Sequence, residues 1–308
     1  MSAKKKTKTK ARSAVHAATV IALLAASAYL TVELRKEEQP GAPGVQAVGA
    51  PRHAGKQIWE RLKNPDRTVL RDGDGRVLAT FTDNARTATL TGPSRTFAEP
   101  AATTSRVVTE DWVRLMPEPW RKGAENERWF KDWFAKNYGS TADDVFAMAY
   151  QYVPGAPVRK NGEAVPDKEH ARSLDAPGYQ RLVWGRRAHY PLAASDTAGG
   201  GLPRTANGMA RSRIGADIIP LKGVGPAHRP RSADLLQPGD LAFFKLDARA
   251  KHRVDHVGIY LGHDADGRQI FLSSRKEANG PALGDEDGTF RPDGTGDHTR
   301  TLRSAKRL

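Results

Sequence analysis

The chain has 308 residues, 38% of them hydrophobic, enough to bury a core of more than one small domain and to exclude wholesale disorder. Lys and Arg number 49 against 35 Asp and Glu, and the formal charge of +14 suits polyanionic surroundings such as nucleic acid, anionic lipid headgroups or acidic wall polymers. Cysteine is absent, which excludes disulfides, thiolate zinc sites, iron–sulfur clusters and a thiol nucleophile.

The basicity is concentrated at the start, where Lys4, Lys5, Lys6, Lys8, Lys10 and Arg12 precede an uncharged run from Ser13 to Val32. As a helix that run would span roughly 30 Å of hydrocarbon, and the positive-inside rule places everything after it outside the cytoplasm. Residues 1–36 therefore read as a basic leader and hydrophobic export segment. It is either kept as a membrane anchor or removed at the Ala26-Ser27-Ala28 site; a soluble helix would normally carry a polar face, which this one lacks. Residues 37–55, rich in Pro, Gly, Ala and Gln, read as a flexible linker.

Residues 56–122 are expected to form a small β-rich module. Thr68 to Phe81 alternates β-formers around the Asp72-Gly73-Asp74-Gly75 turn, and Ala85 to Leu90 and Arg106 to Met116 add strand-like runs. The Asp-x-Asp-Gly spacing lacks a twelfth acidic ligand and flanking helices, so it is read as a turn and not a calcium loop. Residues 123–160 read as a helical bridge. A helix over Glu125 to Asn137 is closed by Gly139, and a second, capped by Ser140 or Thr141, runs toward Tyr152. Trp129, Phe130, Trp133 and Phe134 share one helix face and are assigned to packing.

In residues 161–308, Asp175 is placed to cap a helix that carries Pro177 in its first turn and ends at Gly185. Leu235-Leu236-Gln237-Pro238-Gly239-Asp240-Leu241-Ala242-Phe243-Phe244 sets a turn before a buried strand. Asp255-His256-Val257-Gly258-Ile259-Tyr260-Leu261-Gly262 follows as a second strand with His256 and Tyr260 on one face. A hairpin at Asp264 to Gly267 leads to a third strand, Gln269 to Ser273. The histidines show neither H-x-x-x-H pairing nor a carboxylate at ligand spacing, and Gly199-Gly200-Gly201 lacks the Gly-Lys-Ser/Thr of a phosphate loop, so no metal and no cofactor is expected.

The order and spacing of these three motifs resemble the NlpC/P60 family, papain-like cysteine peptidases that cut peptides of the bacterial cell wall. The resemblance covers Ser173 to Leu308. It implies an α+β papain-like domain in which an N-terminal helix packs on an antiparallel sheet. In the family the helix begins Asp-Cys-Ser-Gly, with the cysteine as nucleophile, a strand histidine as base and a polar residue on the next strand as orienter. By that resemblance the base falls on His256, the orienter on Ser273 and the nucleophile on Ala176, while Asp175, Pro177 and Gly178 fall on the substrate-binding turn.

An alanine methyl has no lone pair, and loss of a nucleophile typically costs on the order of 10⁶-fold in rate. The resemblance therefore implies an exported, cell-wall protein that is catalytically inactive as it stands and works by binding peptidoglycan stem peptides or a cell-envelope protein. The alternative is an active peptidoglycan endopeptidase whose native Cys at 176 has been substituted. Ser173 and Ser273 offer hydroxyls, but nothing in the sequence positions a base for them. Nucleic acid is not expected as a partner, because the arginines are dispersed and form no stripe with stacking aromatics. Partnership with the membrane is expected only through the N-terminal segment.

Overall fold

A computed structural model of the protein describes residues 56–99, 105–156, 165, 167–197, 200–275, 279–283 and 300–308. All of these fall in one compact unit, Pro43–Leu308. The leader, export segment and linker expected at 1–55 lie outside the described residues. Among the described residues no helix is long and apolar enough to cross a membrane.

Two antiparallel sheets organise the chain. The first runs in the order β1 (Ile58–Leu62), β2 (Arg67–Arg71), β3 (Val77–Thr82), β4 (Thr87–Ala98) and β5 (Arg106–Leu115). The turn between β2 and β3 is built by Asp72, whose Oδ1 accepts the backbone N–H of Asp74 at 3.0 Å and of Arg76 at 2.9 Å, while Gly75 supplies a left-handed φ of 82°. The Asp-x-Asp-Gly run thus spends its first carboxylate on its own backbone.

Helix α1 (Arg128–Asn137) lays its aromatic face on this sheet. Phe130 meets Phe81 edge-on at 5.2 Å and Trp120 at 5.1 Å, and stacks on Phe134 at 5.5 Å. The helix begins at Arg128, later than the sequence suggests, because Ala124–Asn126 form a separate 3₁₀ turn.

The next helix, α2 (Val145–Tyr150), is capped by Asp144 and not by Ser140 or Thr141. Asp144 wins because it does more than cap. One oxygen accepts Ala147 N–H at 3.0 Å, the other accepts Val113 N–H at 2.7 Å, and Arg95 pairs with both at 2.5 and 2.7 Å. α2 belongs to a different core from α1 and touches both layers: it packs on Phe97 of β4 in the first sheet and on Tyr179 and Val183 of the second layer.

After the single turn α3 (Lys168–Ala171), helix α4 runs from Ala176 to Gln180 and continues as a π-helical stretch, Arg181–Arg187. The predicted stop at Gly185 is overrun. A Cβ there would come within 2.4 Å of the Leu192 side chain, so glycine serves close packing at this point and not termination. A short α5 (Ala206–Arg211) follows.

The second sheet has the order β10 (Gly280–Ala282), β9 (Gln269–Arg275), β8 (His256–His263), β7 (Leu241–Phe244), β11 (Leu302–Arg307) and β6 (Ala216–Ile219). α4 packs on β8 and β9. The sheet has two apolar faces: Phe243, Val257, Ile259 and Leu272 share a cluster with α2 and α4, while Ala242, Phe244, Phe271 and Leu302 form another. β11 ties the two sheets together, as Arg307 forks onto Asp240 at 2.7 and 2.8 Å and reaches Thr82 Oγ1 on β3 at 2.5 Å. Thr87 donates its N–H and its hydroxyl to Leu308 O, each at 2.6 Å.

Candidate functional site

The start of α4 is fixed by local chemistry. Asp175 takes extended backbone (φ −67°, ψ 168°) and its Oδ1 accepts Gly178 N–H at 2.8 Å. A Cβ at 178 would sit 2.6 Å from that oxygen, so Gly178 is required by the cap itself. Ala176, Pro177 and Gly178 are buried, whereas the Asp175 side chain is 65% exposed and lies 4.0 Å from Arg204. Just before the helix, Ser274 Oγ donates to Leu174 O at 2.6 Å, pinning the helix entry to β9.

His256 opens β8, and the Asp255 before it is structural. Its two oxygens accept the backbone N–H groups of Leu246 at 2.7 Å and Asp247 at 2.8 Å, closing the β7–β8 connection. His256 Nε2 lies 2.9 Å from Ser273 Oγ, so the structure brings together the two residues expected as base and orienter. The ring is half-buried, 6.1 Å from Phe244 and 6.5 Å from Phe271. It therefore sits on the Phe244 and Phe271 side of the sheet, while Ala176 belongs to the helix-side cluster with Val257 and Leu272.

Arg275 completes the group and was not anticipated. Its Nε donates to Ser273 Oγ at 3.2 Å, its Nη2 donates to Phe271 O at 3.2 Å, and its guanidinium lies 5.0 Å from the Phe271 ring centroid. The signal was present, since residues two apart on a strand share a face and Arg275 is two beyond Ser273. With Arg275 supplying one donor to the Ser273 oxygen, the hydroxyl hydrogen can be donated to Nε2, which suits a neutral ring protonated on Nδ1. Burial of the ring and, second, the Arg275 charge lower the His256 pKa from 6.5 to about 3. A ring so held is neutral at pH 7.

Among the described residues no group of three or more His, Cys, Asp or Glu could hold a metal ion. No protein-family model matches the chain, and no curated protein matches it. Among solved structures the chain is similar to a Staphylococcus aureus protein described as similar to lipoprotein, NLP/P60 family. The identity is 20% and the TM-score 0.30, over 63% of this chain and 55% of that one. It is also similar to an NlpC/P60 family protein of Bacillus cereus, at 11% identity and a TM-score of 0.27, over 82% of this chain and 80% of that one. The chain thus spans about 55% of the length of the first of these two structures.

Proposed function

We propose that this chain is an exported NlpC/P60-like cell-wall protein that binds peptidoglycan stem peptides without cleaving them. The motif order from Asp175 through His256 to Ser273 supports the family. The observation that carries the loss of catalysis is double: a methyl at 176 replaces the attacking atom, and the imidazole at 256 is held beside a guanidinium through Ser273. Restoring a thiol would therefore mend only half of the machinery.

On this reading Asp175 holds the free amine of the peptide with the exposed part of its carboxylate, in competition with Arg204, while Pro177 and Gly178 shape the turn beneath it. Export by the 13–32 segment would deliver the domain to the wall. The test is calorimetric titration of the intact chain with unamidated stem peptides. Saturable binding that is lost on N-acetylation of the peptide and weakened about tenfold by Asp175→Asn is expected, consistent with removal of one charge-assisted contact. Equal binding of acetylated and free peptides would contradict the amine-holding role.

A further inference from the structure

A cavity of about 670 Å³ opens away from the His256 cluster, between the first sheet and the loops around α5. One wall comes from the β3–β4 turn with Asn84 and Arg86, the other from Tyr190, from Arg211 at the end of α5 and from Arg213 just after it. Three arginines line one half-open cavity of the size that holds a small ligand.

Their engagements differ. Arg86 donates Nε–H to Met116 O at 3.0 Å and lies over the Tyr190 ring at 5.5 Å, so its position is fixed. Arg211 is steadied by Asn207 Oδ1 at 3.2 Å. Among the described residues neither Arg213 nor the Tyr190 hydroxyl makes a hydrogen bond or ion pair. Among the described residues the only acid lining the cavity is Asp196, and it is already engaged: Thr205 Oγ1 reaches it at 2.5 Å, and the N–H groups of Arg204 and Thr205 each at 2.9 Å. Burial opposes its ionisation, but these hydrogen bonds hold its carboxyl below the ordinary value, so it stays charged and satisfied. Pro119, Pro191 and Pro203 supply apolar wall.

We propose that this cavity binds a phosphate ester carried on a polyol or sugar, with Arg86, Arg211 and Arg213 taking the phosphate and Tyr190 and Asn84 taking hydroxyl groups. Guanidinium forks match phosphate oxygens in pairs, and an all-arginine donor set with no lysine suits that geometry. The site is independent of the peptide-binding reading, since it shares no residue with the His256 cluster.

The intact chain is titrated with glycerol phosphate oligomers, with glycerol, and with a single-stranded oligonucleotide of matched charge at physiological salt. Saturable binding of the phosphate oligomer is expected, with glycerol inert and the oligonucleotide weaker. Arg213→Gln, a partnerless and exposed side chain, should weaken it about tenfold with the unfolding midpoint of the free protein unchanged. Arg249→Gln, on an exposed turn elsewhere, should leave it as it was. An equal loss in Arg249→Gln, an oligonucleotide bound as tightly and lost as readily in Arg213→Gln, or no saturable binding of the phosphate oligomer would each overturn the proposal.

Discussion

The Asp240–Arg307 pair and the half-buried His256 with its buried neighbours Ser273 and Arg275 are polar groups on the second sheet, and they are built on opposite electrostatic terms. At Asp240 a carboxylate with no side-chain exposure meets a guanidinium fork, and the N–H of Gln237 fills a further lone pair at 2.8 Å. Asp144 and Arg95 repeat the pattern, with Val113 and Ala147 as the added donors. At His256 the neighbouring charge has the sign that the ring itself would acquire on protonation. The first arrangement tolerates burial because each carboxylate faces a guanidinium and accepts added backbone N–H groups, although burial still raises the Asp240 pKa. The second works against the ring's charged form, because burial and the neighbouring guanidinium both disfavour an imidazolium.

The largest effect should come from breaking a cancelled pair. Asp240→Ala leaves Arg307 buried beside Thr82 without its partner and should cost about 3–5 kcal/mol in urea unfolding. Replacing both, Asp240→Leu with Arg307→Met, should cost much less, because the penalty lies in the orphaned charge. If the single and double variants lose equal stability, the clamp is held by packing and not by charge pairing.

The conflict at His256 should show in the pH dependence of stability. The unfolded imidazole protonates near 6.5 and the folded one only near 3, so in between the unfolded chain binds more protons. This contribution is fully present above pH 6.5 and is lost as pH falls toward 3. His256→Gln should flatten that part of the profile, and Arg275→Gln should narrow it by letting the ring titrate higher. A histidine resonance at 256 that titrates near 6.5 in the folded chain would break the contrast with Asp240.

The smallest effect belongs to the helix cap. Asp175→Ala should cost about 1 kcal/mol, the usual worth of an N-cap oxygen, and Gly178→Ala should cost a similar amount by crowding Asp175 Oδ1. Unchanged unfolding midpoints in both would mean that α4 is positioned by its contacts with β8 and β9 alone.

What was legible in the sequence was local. The Asp72 turn, the aromatic face of α1, the Asp175 cap and the strand begun by His256 all follow from residues within a few positions of one another. β11 was not legible, because its Leu-Arg-Ser-Ala-Lys-Arg sequence carries three cations on a fully buried strand. Its cations are held largely by distant partners, Lys306 by Asp217 at 2.5 Å, Arg307 by Asp240, and Arg303 through Nε–H donated to Val224 O at 2.8 Å. The cap of α2 was misread for the same reason: Asp144 is selected by Arg95 and Val113, which lie far away in sequence. Within the candidate site, the pairing of His256 with Ser273 could be anticipated from strand alternation, whereas the placement of the ring on the face opposite the α4 cluster depends on how the sheet is layered.

Whether binding has replaced cleavage is tested most directly by incubating the purified, unaltered chain with stem peptides and following products by mass spectrometry. No product above the uncatalysed background is predicted under conditions where the peptide is bound. Turnover at a typical enzymatic rate, about 1 s⁻¹ or faster, would contradict it.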